Sequence, residues 1–373
     1  MITDAAQLAS LIEQIKSADR VAVDTEADSL HSYREKLCLL QISVPARAST
    51  ASRIDSGLCM AQSHESPRAV CDFMVDPLAN TNLEPLRRAL EANEIVLHGA
   101  DYDLRMLRRG LNLVTKRIFD TLIAARLLGI REFSLAALVK RYFGLTLLKG
   151  SQKANWGQRP LPMRMAEYAI NDVHYLLPLA EKLEAELDRC ERRDWLQQSC
   201  QRAIELAAVA RTRNQHELWR IRGSGVLRGR AAAVLRALWQ WREKEAERVD
   251  RPPFHVLRNE DLLKAAAKFA SGSVPDFRHF SFRRRQAFRE AAQAALRAPE
   301  LEWPVSSRRS GTRPTTETVQ RAEELLRRRN KSAEELGLEP SFITPRSTLE
   351  AIAADDTRAP ALLVPWQREL LGV

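Results

Sequence analysis

The stretch VAVDTEAD, residues 21–28, is the part of this 373-residue chain on which the interpretation of the fold depends. Its β-branched residues predict a short strand that ends in acidic residues. Asp24 and Glu26 lie two positions apart, so both carboxylates point to the same face of that strand. Two such carboxylates repel each other unless a cation lies between them, and their hard oxygen atoms suit Mg²⁺ or Mn²⁺. An acidic pair at a strand end is more often a solvated turn, so the pair alone does not predict a metal site.

Two further carboxylates and a phenol favour the metal site. Asp103 follows a predicted strand in HGADYDLRML (98–107), where the end of that strand would bring it near the first one. Asp172 lies on a predicted helix in YAINDVHYLLPL (168–179), and Tyr168 is its neighbour one helical turn earlier. A phenol beside a carboxylate can orient or deprotonate an attacking water. Asp103 alone could be an acid at a helix N-terminus and Tyr168 an aromatic at the edge of the core, but the whole set is hard to explain in this way.

The hydrophobic periodicity around these residues predicts a mixed α/β domain. Strands that first form a meander and then alternate with helices imply a mixed sheet flanked by helices. Residues 45–70 are rich in Ala, Ser, Arg and Pro without a clear period, and we interpret them as an exposed insertion. The predicted strands are 20–28, 37–44, 72–77, 94–99 and 117–121, the predicted helices are 5–17, 83–92 and 101–110, and the pattern is mainly helical from there to about 210.

The second half of the chain is predicted to be entirely helical. A long helix over 228–250 ends at the Pro252-Pro253 pair, and shorter helices follow near 260–270 and 282–297. The polar, basic segment 306–316 is interrupted by Gly and Pro, which is typical of a linker, and a last helical region follows. The two helical regions could be distant copies of one module.

The charge is distributed unevenly along the chain. There are 58 Lys and Arg against 48 Asp and Glu, a net charge of +10. Residues 1–190 hold 24 basic and 24 acidic residues, so the whole excess lies in the remainder. A neutral half joined to a basic half indicates that one part carries out chemistry while the other holds an anionic polymer such as nucleic acid. The apolar content of 45% excludes a disordered or collagen-like chain.

Cysteine usage and hydropathy indicate a reducing compartment. The five Cys residues are odd in number and form no CxxC pair, which makes a zinc site or a disulfide framework a poor interpretation. The N-terminal MITDAAQLAS lacks the basic and apolar regions of a secretory signal, and no apolar run approaches the roughly 18 residues that span a bilayer. We therefore expect a cytoplasmic protein with no membrane association.

Three segments, VAVDTEAD, VLHGADYDL and YAINDV, resemble the exonuclease motifs of the DEDD superfamily in its Tyr-containing subclass. The segments LCLLQIS, FDTLIAARLLG, KGSQKANWGQRPL and YAINDVHYLLPL are similar to the corresponding stretches of the ribonuclease D family. The segment that begins LRGRAAAVLRALWQW resembles the HRDC domain (helicase and RNase D C-terminal) of that family. The tail, with ELGLEPSFITPRSTLEAIA and PWQRELLG, is similar to the family's weaker second HRDC-like module.

This resemblance implies an α/β RNase H-like exonuclease domain, a mixed sheet flanked by helices, followed by two all-α HRDC-type domains. The corresponding boundaries are an exonuclease domain over 1–195, a helical linker over 196–222, an HRDC domain over 223–300, a basic linker over 301–316 and a second HRDC-like domain over 317–373.

The resemblance also implies an activity and a role for each residue of the acidic set. A metal-dependent 3′→5′ exoribonuclease hydrolyses phosphodiester bonds at RNA 3′ ends, such as those of tRNA precursors, and releases 5′-nucleotides. Asp24 would bridge two divalent ions, Mg²⁺ or Mn²⁺, and Asp103 would serve the second ion. Glu26 and Asp172 would complete the site of the ion that binds the attacking water, and Tyr168 would position that water.

Several basic residues are candidates for RNA contacts. Lys149, Lys153 and Arg159 lie in the loop before the third motif, where an RNA 3′ end would pass. Arg283, Arg284 and Arg285 lie among Phe280, Phe282 and Phe288, which could stack on bases or belong to the core. His98, a recurring His of the family, could contact the substrate or be a structural imidazole. The family usually has Asp at position 155, where this chain has Asn, and His174 is interpreted as a surface residue.

Two other functions remain open at this point. The metal site does not distinguish ribose from deoxyribose, so a DNA-directed exonuclease of the same superfamily is one alternative. An RNA-binding adaptor with an inactive nuclease fold is the other, although the complete acidic set argues against it. RNA is the expected partner, DNA is possible, and the sequence indicates no obligate protein partner.

Overall fold

A computed structural model describes residues 1–46, 69–79, 81–147, 150–209, 214, 217–305 and 314–373. The described residues form two compact units. The first unit contains residues 1–27, 37–209 and 314–373, and the second contains 28–36 together with 217–305. Most of the predicted insertion and the middle of the predicted basic linker lie outside the described residues.

The first unit is built on a five-stranded mixed sheet, as predicted from the sequence. Its strand order is β3-β2-β1-β4-β5, in which β1–β2 and β2–β3 are antiparallel and β1–β4 and β4–β5 are parallel. The central strand β1 therefore carries the acidic pair in the middle of the sheet. The strands are β1 Arg20–Ala27, β2 Leu37–Pro45, β3 Val70–Val75, β4 Glu94–Leu97 and β5 Ile118–Asp120.

The third strand differs from the predicted range of 72–77. It begins at Val70, because the antiparallel ladder with β2 continues to a pairing of Pro45 with Val70. It ends at Val75, and Pro77 beyond it has no N–H to donate to a neighbouring strand. The apolar pattern of this segment therefore predicted a strand but not its exact ends.

Helices cover both faces of this sheet. The early helices are α1 Ala5–Lys16, α2 Glu84–Ala92, α3 Asp101–Leu111, α4 Thr121–Leu127, α5 Leu135–Phe143, α6 Met163–His174, α7 Leu176–Arg189 and α8 Arg193–Ala208. Helix α6 packs on β1, β2 and β3, and α3 follows β4 directly. These two helices carry the remaining acids of the predicted site. The predicted domain boundary at residue 195 falls inside α8, and the division into domains remains a prediction.

The second unit contains four helices among its described residues, besides short 3₁₀ turns. They are α9 Gly229–Arg248, α10 Pro253–Val256, α11 Asn259–Ala270 and α12 Phe282–Arg297. Trp241 of α9 packs with Phe280 and Phe288 in the core, whereas Trp239, two residues earlier and so on the other side of the helix, is only partly buried. No strand occurs after β5 in the described part of the chain, and none of its helices is long and apolar enough to span a bilayer.

The loop between β1 and β2 belongs to the second unit. The N–H of Tyr33 donates to Asp250 Oδ1 at 3.1 Å, and Arg34 forms an ion pair with Glu247 at 2.6 Å. Tyr33 also packs against the core of this unit. The chain therefore leaves the first unit directly after the acidic strand and returns to it at β2.

The C-terminal helices pack into the first unit. They are α13 Thr316–Leu336, α14 Pro340–Ile343, α15 Arg346–Ala354, α16 Ala359–Leu362 and α17 Pro365–Leu371. Trp366 stacks on Trp195 of α8, with ring centroids 4.9 Å apart, and its indole N–H donates to Ser199 Oγ at 3.1 Å. Arg192 donates to the carbonyl oxygens of Leu127 and Leu336 and so joins the two parts.

Trp366→Ala is expected to destabilise the protein by about 3–5 kcal/mol, because it removes a large buried aromatic and leaves a cavity. Urea denaturation followed by circular dichroism measures this loss. Phe282→Ala is the matched control, because that ring is 77% exposed, and its effect should stay within about 0.5 kcal/mol. An equal, small effect of both substitutions would contradict the packing described here.

Candidate active site

The acidic pair of β1 meets the third acid on α6. One oxygen atom from each of Asp24, Glu26 and Asp172 lies within 4.8 Å of the others. The alternation of β1 places the first two on one face, and the packing of α6 across β1, β2 and β3 brings Asp172 to them. The three carboxylates therefore form an all-oxygen cluster of the kind that holds a hard divalent cation.

Asp103 stands next to this cluster, in the first turn of α3. It is only 6% exposed, and it accepts a hydrogen bond from the Thr25 hydroxyl at 2.5 Å. Its charge acts on both Asp24 and Glu26. The structure thus brings all four predicted acids together, while their individual roles remain predictions.

Burial raises the pKa of all four carboxyl groups, and repulsion within the cluster adds to the increase at Asp24 and Glu26. Burial, followed by the charges of the other carboxylates, raises the pKa of Asp24 well above its usual range and that of Glu26 to about 9. Burial raises the pKa of Asp103 to about 7 and that of Asp172 to about 6. Carboxylates in this arrangement are stabilised in their charged form by a divalent cation, so the residues present fit the metal ions that the family resemblance implies.

Tyr168 lies beside Asp172, as the helical spacing predicts. Its phenol donates a hydrogen bond to Asp172, and this bond partly offsets the effect of burial on the Asp172 pKa. Burial and the charge of Asp172 raise the pKa of the phenol well above its ordinary range. Tyr168 is therefore protonated at neutral pH, which favours an orienting role over that of a base.

A protein-family model described as 3′–5′ exonuclease matches residues 1–188, just over half of the chain, and this range includes the four acids and Tyr168. The chain belongs to the 3′–5′ exonuclease family. A second model, described as HRDC domain, matches residues 231–273, within α9–α11 of the second unit.

Relatives of this exonuclease include ribonucleases D. The chain is 32% identical to the ribonuclease D of Sphingobium indicum over 276 residues, a match that covers 72% of the chain and 63% of the relative. It is 29% identical to that of Pseudomonas paraeruginosa over 317 residues, covering 81% and 82%. Escherichia coli RNase D, described as an exoribonuclease involved in structured RNA processing, has the same fold, with a TM-score of 0.68, 22% identity and coverage of 100% and 96%. The predicted resemblance and the combination of an exonuclease domain with an HRDC domain are confirmed.

A buried aspartate that sequence reasoning missed holds the turn before Asp103 in the exonuclease domain. Asp120, at the end of β5, is 2% exposed and accepts hydrogen bonds from the backbone N–H groups of Gly99 and Ala100 at 2.9 and 2.8 Å. It also caps α4 through the N–H groups of Leu122 and Ile123. Asp120 therefore fixes the start of α3, on which Asp103 lies.

His98 is hydrogen-bonded within the exonuclease domain, which supports the structural one of the two interpretations open from the sequence, and the choice between them remains a prediction. Its Nδ1 lies 2.9 Å from Thr121 Oγ1, whose own proton is donated to the Leu97 carbonyl at 3.0 Å. The Thr121 oxygen must therefore accept, so Nδ1 of His98 carries the proton. Burial lowers the pKa of His98, which keeps the ring neutral.

His174 is not the surface residue that the sequence suggested. Its Nδ1 lies 2.6 Å from Asp72 Oδ2 on β3, and Asp72 also accepts from Ser43 Oγ at 2.7 Å. The pair ties the C-terminal end of α6 to the sheet, two residues after Asp172. This contact joins residues that are distant in the chain, so helical periodicity could not reveal it.

The structure contradicts the predicted role of Arg159 in phosphate binding. Its Nε and Nη2 donate to the Asp76 carboxylate at 2.6 and 2.7 Å, and its remaining N–H groups donate to the carbonyl oxygens of Cys38, Trp156 and Gln158. All five N–H donors are thus used within the protein.

Two other basic residues of the loop before the third motif were predicted to contact phosphate, and the structure describes one of them. Lys153 is exposed, and Lys149 lies outside the described residues. Asn155 accepts a hydrogen bond from the Gly157 N–H at 3.2 Å. Since Asp could accept the same bond, the departure from the family at this position preserves the turn.

The basic cluster of α12 is divided between core and surface. Phe280 and Phe288 are buried in the core, whereas Phe282 is 77% exposed. Arg284 forms an ion pair with Glu245 at 2.9 Å and lies over the Phe280 ring. Arg283 is exposed and Arg285 is half-buried. Among the three Phe and three Arg candidates of this cluster, Phe282 is the exposed ring and Arg283 the exposed guanidinium, a combination that suits contacts with single-stranded RNA.

Proposed function

We propose that this exonuclease is a metal-dependent 3′→5′ exoribonuclease that hydrolyses phosphodiester bonds from RNA 3′ ends and releases 5′-nucleotides. The observation that carries the proposal is the convergence of Asp24, Glu26 and Asp172 within 4.8 Å, beside a protonated phenol. The ribonucleases D among the relatives support the choice of RNA. The whole-protein activity is a proposal, because the match to the Sphingobium enzyme covers 63% of that relative.

The chemistry of the proposed site follows from its residues. Two divalent cations, Mg²⁺ or Mn²⁺, would supply Lewis-acid stabilisation of the attacking and leaving oxygens of an in-line displacement. Asp24 would be the ligand common to both, Glu26 and Asp172 would hold one, and Asp103 would serve the other. Thr25 orients the Asp103 carboxylate through its hydroxyl. The phenol of Tyr168 orients the attacking water and keeps its own proton.

We propose structured RNAs, such as tRNA precursors with extended 3′ ends, as substrates. The positive charge of the second half of the chain supports binding of the RNA body by its helical modules. Phe282 and Arg283 are the residues of α12 that we assign to this contact, and Lys153 is the corresponding residue of the exonuclease domain. A cytoplasmic location is proposed with it, and the four described Cys residues, none of which forms a disulfide, support a reducing compartment.

The direct test is degradation of a precursor tRNA with an extended 3′ end, with and without Mg²⁺, followed by product length. We expect Mg²⁺-dependent release of 5′-nucleotides that shortens the RNA stepwise from its 3′ end. A DNA of the same sequence should be degraded more slowly. Faster degradation of the DNA would favour the DNA-directed alternative, and no nucleotide release from either nucleic acid in Mg²⁺ would favour an inactive RNA-binding adaptor.

We also propose that α13–α15 form a second HRDC-like module, because they repeat the spacing of α9–α11 along the chain. Each element begins 87 residues after its counterpart, at 229 and 316, at 253 and 340, and at 259 and 346. Both short middle helices have four residues and begin with Pro. A repeat in which three consecutive elements keep one offset is hard to explain by chance.

A buried arginine recurs at the same place in both modules. Arg242 of α9 donates to the Leu257 carbonyl at 3.2 Å, and Arg329 of α13 donates to the Thr344 carbonyl at 3.0 Å. The two donors are again 87 positions apart, and so are their acceptors. Both side chains are almost fully buried, and in each module the bond joins the long helix to the residue after the short one.

Substitution of each arginine should loosen its own module. Arg242→Ala is expected to increase hydrogen exchange in α10 and α11 and to leave α14 and α15 unchanged, while Arg329→Ala should do the reverse, because a buried carbonyl loses its donor. Hydrogen–deuterium exchange with mass spectrometry measures both effects, and each variant is the control for the other. Unchanged exchange in both variants would count against the repeated architecture.

A further inference from the structure

A glutamine lies fully buried beside Asp24. Gln41, on β2, has no exposed surface, and the strand register places it directly opposite Asp24 on β1 and Met74 on β3. Directly opposite residues in an antiparallel pair point to the same face of the sheet, with Cβ atoms about 4.5–5.5 Å apart. The Gln41 side chain therefore lies on the face that carries Asp24 and Glu26.

Helix α6 encloses this face of the sheet. Leu39, two residues before Gln41 on the same strand, packs with Met165 and Ala169 of α6. The Gln41 amide is therefore enclosed between the sheet and the helix that carries Asp172. Every residue of β2 from Leu37 to Val44 is buried, so this part of the strand lies inside the domain.

The side-chain amide of Gln41 lacks hydrogen-bond partners among the described residues. Neither its Nε2 nor its Oε1 atom has a partner among the residues that the structure describes. A buried polar group without a partner costs about 1–3 kcal/mol, and such groups are nearly always paired in the functional state of a protein. The register partner, Asp24, can supply the missing acceptor, because a carboxylate has about four lone-pair sites.

We propose that Gln41 is a positioning residue of the metal site, whose Nε2–H donates to the Asp24 carboxylate when that carboxylate holds a divalent cation. The hydrogen bond fixes the orientation of the ligand that the proposed mechanism shares between two ions. Partners of this kind, which hold a metal ligand in place, typically contribute 10–100-fold to metal affinity. The inference rests on the proposed metal-dependent function.

Gln41→Met tests the inference, because Met has a similar shape without the polar atoms. We expect the substitution to stabilise the metal-free protein and to weaken metal binding. The metal-free protein should become more stable in urea, since a buried unpaired amide has been removed, and the affinity for Mg²⁺ and Mn²⁺ should fall roughly 10–100-fold. Activity at limiting Mg²⁺ should fall with it and be largely restored at saturating Mg²⁺, with the KM for RNA unchanged.

The measurements are isothermal titration of the full chain with MgCl₂ and MnCl₂ and urea denaturation in EDTA. Leu40→Met is the matched control, because Leu40 directly precedes Gln41 on β2 and points to the opposite face. The metal affinity of this variant should equal that of the wild type. Unchanged metal affinity of Gln41→Met, or a less stable metal-free variant, would overturn the inference. If the wild type bound neither ion, the proposed metal-dependent function itself would be contradicted. That result differs from one in which the wild type binds metal and Gln41→Met binds it equally well, which contradicts only the role of Gln41.

Discussion

Asp24→Asn and Asp172→Asn are each expected to reduce nucleotide release from a 3′-labelled RNA roughly 10³-fold or more, while the affinity for RNA stays nearly unchanged. Both acids belong to the cluster whose oxygens lie within 4.8 Å of one another, so either substitution removes a charged metal ligand. Metal stabilisation of the transition state is worth several kcal/mol, and each 1.4 kcal/mol is a factor of about 10 in rate. Binding should persist because the proposed RNA contacts lie elsewhere.

Glu13→Gln is the matched control for these two substitutions. Glu13 is an exposed carboxylate on α1 that pairs with Lys16, so its replacement removes the same charge without touching the site. Activity is followed by release of labelled nucleotide in Mg²⁺ and binding by filter retention in EDTA. Activity of both Asn variants at the level of Glu13→Gln would refute the catalytic role of the acidic cluster.

In the absence of divalent cations, the free energy of unfolding is expected to fall as the pH rises from about 6 to about 9. Burial raises the pKa of Asp172 to about 6, of Asp103 to about 7 and of Glu26 to about 9. A carboxyl group whose pKa is raised by folding holds its proton more tightly in the native state. Its stabilising effect is therefore complete below the unfolded pKa, near 4, and is lost as the pH rises through the folded value.

The slope can reach about 1.4 kcal/mol per pH unit for each group that stays protonated only in the native state. Mg²⁺ binds the deprotonated carboxylates, so the stabilisation that it provides should grow over the same pH range. Urea denaturation in EDTA and in Mg²⁺ at several pH values measures both trends. Asp172→Asn removes one of the titrating groups and the charge that raises the pKa of Glu26, so it should flatten the slope. A wild-type stability that stays constant or rises with pH in EDTA would contradict the prediction.

The residues of the candidate site could be selected from the sequence because each is marked by a local pattern. Asp24 and Glu26 have strand spacing, Tyr168 and Asp172 have helical spacing, and Asp103 follows a predicted strand directly. These periods determine which face of an element a side chain occupies. The mixed sheet follows from the order of the same elements.

The residues that support the site could not be predicted in this way, because their partners are distant in the chain. Asp120 accepts hydrogen bonds from the turn before α3, and His174 pairs with Asp72 across a helix–sheet contact. The position of Arg159 in the chain predicted a phosphate contact, whereas in the structure its guanidinium donates to Asp76. A periodic pattern specifies a face, but it does not specify which polar group of another element lies against that face.

The loop of residues 28–36 affects how truncated forms of this chain should be interpreted. Its anchors, Glu247 and Asp250, lie on or just after α9, and Glu26 is only two residues before the loop begins. A deletion of the HRDC domain would remove those anchors and leave the segment after the acidic strand without its packing partners. Loss of activity in such a deletion would therefore not measure the contribution of RNA binding alone. Point substitutions on the exposed face of α12, such as Arg283→Ala, separate the two effects because they leave the loop anchored.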